Sequence, residues 1–407
     1  MPDSILILTC GTGTAGKHSN LAAGLKRSVE LLQPRALLLV PSAHSDSQAI
    51  ADLVREAFPR LEHIRRSDSE QIRIEDPDDL FICRETIRRA LQTVRPHLHS
   101  GERLVINPTS GTKQMSVGAA LAALDEELGE IVFTVGERAD GVVRTGSERI
   151  ATFQTRRFLY ERTLAQAEAL FQAGACLAAA RVLEPYRDIA EDTCETALCL
   201  HHWQHLHYQE ARKIAAASNA DTLVRLRRLF DELCKEPEPG GKRLADLAAG
   251  AERLYRWGMR DEALVRYYHV VEATARLRLT EHYDHLKPPY PLDALLAIPD
   301  IPRDFARRLK ANSRDQTVHL TLHTLFEVLN ALDDDEARAY FDDRDFQDLL
   351  RRRNDYVHAG RASPAEAVER LRQRTLTFLK NAAPQALLHT ECTQLWPVNI
   401  SPPAALD

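Results

Sequence analysis

The first third of the chain alternates short apolar runs with amphipathic stretches. SILIL (Ser4–Leu8), ALLLV (Ala36–Val40), LVIN (Leu104–Asn107) and IVFTV (Ile131–Val135) are runs of strand length with almost no polar residues, the pattern of strands buried on both faces. Between them, apolar residues recur at helical spacing over about Asn20–Leu32, Asp46–Phe58, Asp78–Val94 and onward from Lys113. A weaker strand is expected near Ile72, and GERADGVVRTG (Gly136–Gly146) reads as a terminal hairpin. Repeated strand–helix units of this kind predict an α/β domain over residues 1–150 with a doubly wound parallel sheet. Beyond it the periodicity is almost wholly helical. Leu164–Tyr186 reads as a helical pair around Gly174, and KEPEPGGKR (Lys235–Arg243) is a linker. The all-α part is therefore expected as a connecting segment 151–240, a C-terminal helical domain 241–385 and a tail 386–407, with the proline-rich Lys287–Pro302 interrupting any long helix.

Two turns in the α/β part carry chemistry. After LVIN comes NPTSGT, where Pro108 and Gly111 end regular structure before an alanine-rich helix starts at Lys113. Free backbone N–H groups of a first helical turn, the helix dipole, the hydroxyls of Thr109, Ser110 and Thr112, and the Lys113 ammonium point at one place. Capping needs a single hydroxyl. The surplus predicts a phosphate site, with Asn107, Gly111 and Gln114 beside it. Ligands of doubly wound sheets sit beyond the carboxyl ends of the strands, where strand order reverses. The turn after SILIL should therefore face the same ligand with Thr9, Cys10, Gly11, Thr12 and Gly13.

That first turn holds two overlapping motifs, GxGxxG (Gly11, Gly13, Gly16) and GxxxxGK (Gly11 to Lys17), and each lacks its partner. His18 stands where a P-loop needs Ser or Thr for magnesium. The strands that would supply a metal-binding Asp run into Pro41 and Asn107. No acid follows the second strand to hold a ribose, since Pro41, Ser42, Ala43 and His44 stand there. Nucleotide hydrolysis and a nicotinamide cofactor are thereby disfavoured.

A second signal is FQDLLRRRNDYVHAGR, Phe346–Arg361. Asn354 and His358 stand four apart on one helical face, next to Arg353, and Ala359-Gly360 form a helix stop. A histidine can move protons to and from RNA oxygens near neutral pH, and an arginine can hold a scissile phosphate. Arg351 and Arg352 add a local basic patch suited to an RNA backbone. On composition alone, a solvated basic helix end explains the same residues.

Composition narrows the class. The 407 residues carry 53 Lys and Arg against 59 Asp and Glu, a net charge of −6, so any nucleic-acid surface is local. Seven scattered cysteines without a CxxC pair suggest reduced thiols and no zinc knuckle. MPDSILILTCG has neither a basic leader nor a long apolar core, and no run approaches roughly 18 uncharged apolar residues. A soluble cytoplasmic protein without a membrane partner is expected. His201 and His205 at i, i+4 suggest a metal pair with Glu195 or Glu210, but spacing fixes no third ligand and HExxH is absent. Half-buried helix histidines, and no metal, are the expectation.

The N-x-T-S-G-T-K-Q-M stretch of Asn107, Thr109, Ser110, Gly111, Thr112, Lys113, Gln114 and Met115 resembles the CARF domain of CRISPR-associated accessory proteins. The resemblance covers roughly residues 1–150. It implies a Rossmann-like dimer that binds a cyclic oligoadenylate across its two-fold axis. In that context Arg353, Asn354 and His358 resemble the HEPN ribonuclease motif, and Glu262–Leu279 is similar to that family's first helix, with Glu272 as a supporting polar residue. Together the halves resemble CARF–HEPN ancillary ribonucleases of type III CRISPR systems. That resemblance implies a homodimer, activated by cyclic oligoadenylate, which cleaves single-stranded RNA without a metal or other cofactor at a site built from both protomers. The alternative is an oligoadenylate- or nucleotide-binding regulator with a non-catalytic helical domain.

Overall fold

A computed structural model of the chain describes residues 4–12, 18–64, 72–127, 130–139, 142–143, 146–237, 240–283, 286–299 and 301–400. The chain divides into two compact units, 1–162 and 163–407.

The first unit follows the alternation of its sequence. Its elements are β1 Ser4–Cys10, α1 His18–Leu32, β2 Ala36–Pro41, α2 Ser45–Ala57, β3 Glu62–His63, α3 Leu80–Val94, β4 Arg103–Asn107, α4 Lys113–Asp125 and β5 Glu130–Val135. A short hairpin, β6 Arg138–Ala139 and β7 Val142–Val143, precedes β8 Arg149–Phe153. The main sheet has the order β3-β2-β1-β4-β5-β8, parallel except for the antiparallel edge β8. Strand β1 is central and every residue in it is buried. Its side chains alternate between two cores. Ile5 and Ile7 pack with Ile87, Leu91, Met115 and Ala119 of α3 and α4. Leu6 and Leu8 pack with Leu25, Val29, Ile50 and Val54 of α1 and α2. Because helices cover both faces, the strands read as continuous apolar runs.

Two local expectations shift. The outer strand forms at β3, which pairs Glu62 with Ala36, while the stretch at Ile72 contributes a single bridge from Ile74 to Ser42. The expected hairpin is followed by β8, whose largely exposed residues carry no apolar run to announce an edge strand.

The second unit is helical. Crossing from the first unit, α5 spans Thr155–Gln172; α6 Cys176–Leu183, α7 Arg187–Gln204, α8 Tyr208–Ala217 and α9 Asp221–Lys235 follow. Gly174 makes the α5–α6 turn with φ +80°. Next come α10 Gly241–Arg256 and the long α11 Arg260–His282. The proline-rich stretch forms short pieces, β9 Tyr290–Pro291 and α12 Leu292–Leu296, and α13 Arg303–Ala311, β10 Ser313–Arg314 and β11 Thr317–Val318 follow it. After them come α14 Leu322–Ala331, α15 Asp335–Asp342, α16 Arg344–Ala359, α17 Ala365–Ala382 and α18 Glu391–Gln394. A large core joins Tyr267 and Val271 of α11, Phe326 of α14, Phe346 and Leu350 of α16 and Phe378 of α17. The segment after α17 is packed: the Trp396 ring lies 5.0 Å from Trp203 and 5.8 Å from Trp257, with the buried Arg253 guanidinium 4.3 Å from its centroid.

Candidate functional site

The crevice of the first unit lies where strand order reverses, between the carboxyl ends of β1 and β4, which pair Leu8 with Asn107. The two following turns touch. Thr9 Oγ1 donates to the Ser110 carbonyl at 2.5 Å, and the Gly11 N–H donates to Ser110 Oγ at 3.0 Å. A Cβ on Gly11 would lie 2.5 Å from the Gly111 Cα. This approach requires glycine at 11; at 111 glycine is required by φ +127° and by the Met115 sulfur, which would lie 2.8 Å from a Cβ there.

The hydroxyls of the second turn are occupied in shaping it. Asn107 Oδ1 accepts from the Thr109 N–H at 3.1 Å and from Thr109 Oγ1 at 2.5 Å, an Asx turn. Thr109 Oγ1 accepts in turn from the Thr134 N–H at 2.8 Å. Thr112 caps α4, with its Oγ1 accepting from the Met115 N–H at 3.2 Å and donating to the Pro77 carbonyl. The expected convergence of three hydroxyls on a ligand is therefore a different arrangement. Hydrogen bonds lock the turn, and the cavity wall is built from that locked turn.

That cavity measures about 410 Å³. Of the residues singled out in the sequence, Gly11, Thr12, Thr109, Ser110, Gly111 and Thr112 line it. Thr9, Cys10 and Asn107 are buried beneath and are not among its lining. Burial pushes the Cys10 thiol up to about 12, so it stays neutral. Lys113 is exposed at the first position of α4 and Gln114 is half-buried; neither lines the cavity. Gly13 lies outside the described residues.

The other walls were not read from the sequence. Leu21, Gly24, Leu25 and Ser28 of α1, Met115 of α4 and Thr134 of β5 complete the pocket. Its floor carries a hydroxyl pair, Ser28 Oγ and Thr134 Oγ1, 2.7 Å apart. One signal was available: Ser28 is a polar residue within the buried stripe of Ala22, Leu25 and Val29. Glu148 also lines the cavity, and its carboxylate accepts from the Gly146 N–H at 2.6 Å. Apolar walls, a hydroxyl floor and a helix N-terminus suit a nucleotide, with the base in the pocket and the phosphate at the turn.

In the second unit, α16 carries the other candidate. Asp343 caps its start, accepting from the Phe346 N–H at 3.0 Å, while Phe346, Leu349 and Leu350 bury its inner face. Gly360 ends it in the left-handed region (φ 63°), donating to the Tyr356 carbonyl at 3.1 Å. Asn354 and His358 are exposed on the outer face. Arg353 is half-buried, with NH1 donating to Asn354 Oδ1 at 3.1 Å and its guanidinium 4.9 Å from the Tyr268 ring of α11. Arg351 pairs with Asp348 at 2.6 Å, which leaves Arg352 as the less compensated part of the basic patch. Glu272 pairs with Arg276 at 2.6 Å. A helix end with an exposed imidazole, an amide and a fixed guanidinium has the donors and acceptors for phosphodiester chemistry.

Histidines cluster at the end of α7, where the rings of His201 and of His205, the residue just after the helix, lie 4.4 Å apart. Burial and neighbouring histidines hold His201 down to about 4. Among the described residues, no group of three or more His, Cys, Asp or Glu side chains is arranged to hold a metal ion. Among them, too, no helix is long and apolar enough to cross a membrane.

Residues 235–381 match the family model of the Csm6 HEPN domain. A solved structure of Enterococcus italicus Csm6, bound to cyclic hexa-2'-fluoro-hexa-dAMP, superposes with a TM-score of 0.63 at 12% identity, covering 96% of this chain and 99% of that one. No curated protein matches. The resemblance to CARF–HEPN proteins is borne out. The α/β unit has a Rossmann-like fold with the topology such proteins share, and residues 235–381 of the helical unit are similar to the Csm6 HEPN domain.

Proposed function

We propose that this Csm6-like chain is a cyclic-oligoadenylate-activated endoribonuclease of type III CRISPR defence, acting on single-stranded RNA in the cytoplasm. Residues 1–150 serve as the sensor, 151–240 as the connecting segment and 241–385 as the nuclease. The observation that carries this reading is the Csm6 HEPN match over 235–381, a stretch that contains Arg353, Asn354 and His358 on one helix end. The sensor assignment draws on the crevice at the switch point and on the E. italicus protein, which was solved with a cyclic oligoadenylate analogue.

In this reading the turns at Gly11–Thr12 and Thr109–Thr112 hold phosphates, and an adenine enters between α1 and α4. Thr9 and Asn107 fix the two turns from below, with Cys10 buried beside them, and Lys113 and Gln114 complete the ring's surroundings. The protein works as a homodimer, which duplicates both sites about one axis. Helices α3 and α4 suit such an interface, since they expose the large apolar side chains Phe81, Val117 and Leu121. In the nuclease, His358 of one protomer takes the proton from the RNA 2'-oxygen and its counterpart gives one to the departing 5'-oxygen. Arg353 binds the charge that grows on the phosphate, and Asn354 holds Arg353. The 2'-oxygen attacks within the substrate, so 2',3'-cyclic phosphate ends form and no metal or other cofactor takes part.

RNA cleavage by the purified protein, with cyclic tri-, tetra- and hexa-adenylate offered separately, tests the proposal. Cleavage with one ring size supports it. Tight oligoadenylate binding without cleavage would point instead to a regulator with a non-catalytic helical domain.

A further inference from the structure

Arg353 is held differently from the ion-paired arginines of α16 and α17. Arg351 pairs with Asp348, Arg374 with Asp343 at 3.0 Å, and Arg370 with Asp345. Among the described residues Arg353 has no carboxylate partner. Its NH1 reaches only the neutral Asn354 amide, and its Nε is buried without a hydrogen bond. What it does have is a ring. The Tyr268 centroid lies 4.9 Å from the guanidinium carbon, within cation–π range. Tyr268 is itself half-buried and packed against the large core of the helical unit, so the ring is a firm support. Burial raises the Tyr268 phenol, which therefore stays neutral. One turn further along α11, the Glu272 carboxylate is bound by Arg276 at 2.6 Å.

These facts separate two ways of orienting a guanidinium. A carboxylate would fix it through its N–H edges, and those are the groups a phosphate needs. An aromatic face fixes it from below and leaves its charge, and the N–H groups not already engaged, available. We propose that Tyr268 is a positioning residue of the RNA-cleaving site, whose ring holds the Arg353 guanidinium in place for the scissile phosphate without quenching it. The inference rests on the ribonuclease reading of α16 and adds a residue from another helix.

The test is steady-state cleavage of a single-stranded RNA by the full-length, oligoadenylate-activated protein carrying Tyr268→Leu, Tyr268→Phe, or pentafluorophenylalanine at 268. Tyr268→Leu should lower kcat about tenfold with little change in KM, and Tyr268→Phe should rescue it because the ring face is retained. Pentafluorophenylalanine keeps the shape of the ring but removes the negative face. It should lose as much as leucine, which keeps the test decisive even if leucine disturbs folding. Full kcat with pentafluorophenylalanine, or an equal loss with phenylalanine, in an enzyme whose unsubstituted form cleaves RNA, would overturn this inference alone. An unsubstituted protein that binds activator and cuts no RNA would overturn the ribonuclease reading as well.

Discussion

Gly24 offers a test in which stability and ligand affinity should move in opposite directions. It sits in the interior of α1 and lines the crevice, and a Cβ built on it meets nothing within 4 Å. Glycine costs a helix interior up to about 1 kcal/mol relative to good helix formers, through the freedom it loses on folding. Gly24→Leu should therefore stabilise the first unit by about 0.5–1 kcal/mol, a rise of roughly 1–4 °C in Tm for a domain of this size. The same side chain projects into a cavity of about 410 Å³, opposite the loops proposed to hold phosphate. If an adenine occupies that space, it must be displaced or compressed. Overpacking of about 1–3 kcal/mol corresponds to roughly five- to 150-fold weaker binding. Differential scanning calorimetry and isothermal titration with the activating oligoadenylate read the two quantities on one preparation. Undiminished affinity would refute the placement of the base between α1 and α4. A lower Tm would refute the claim that this helix face opens onto free space.

Lys113→Ala should weaken oligoadenylate binding roughly two- to fivefold, as an exposed charge at a helix start, and leave Tm unchanged; equal affinities in calorimetry would remove Lys113 from the site. His358→Ala should abolish RNA cleavage and preserve activator binding, and Arg353→Ala should lose nearly as much. Mixing the two variant chains should not restore full activity, so wild-type rates from the mixture would contradict a site built from two motifs. Cleavage should persist in EDTA and leave 2',3'-cyclic phosphate ends, an outcome that strict magnesium dependence would exclude. Acid should destabilise the helical unit through His201. Its folded pKa of about 4 lies below the 6.5 of an unperturbed imidazole, so the unfolded chain binds the proton first. The stabilising contribution is complete above the unfolded pKa and is lost as pH falls through that window. A His201→Gln protein should show a flatter Tm profile there, and an unaltered profile would count against the assignment.

The elements that could be read directly were those whose signal is local. SILIL and ALLLV announced buried strands because both of their faces are covered by helices, so no polar alternation interrupts them. The Asn107–Met115 turn and the Arg353–His358 helix end were legible for a related reason: an Asx turn, an N-cap and an i, i+4 pair are each complete within a few residues. Other features were decided by the tertiary structure. Edge strand β8 has no apolar run and is defined by pairing with β5. Whether Gly11 belonged to a P-loop, a dinucleotide turn or neither depended on Gly111, which it meets across the switch point at a distance no Cβ permits. The pocket's floor joins Ser28 to Thr134, the hydroxyls of Thr109 and Thr112 are tied to Asn107, Thr134 and the distant Pro77, and the support of Arg353 comes from Tyr268 on another helix. Sequence periodicity reports which face of an element is buried, because burial repeats with the turn of the backbone. It carries no record of which distant element covers that face, and a cavity wall or a ring beneath a guanidinium exists only once those elements have packed.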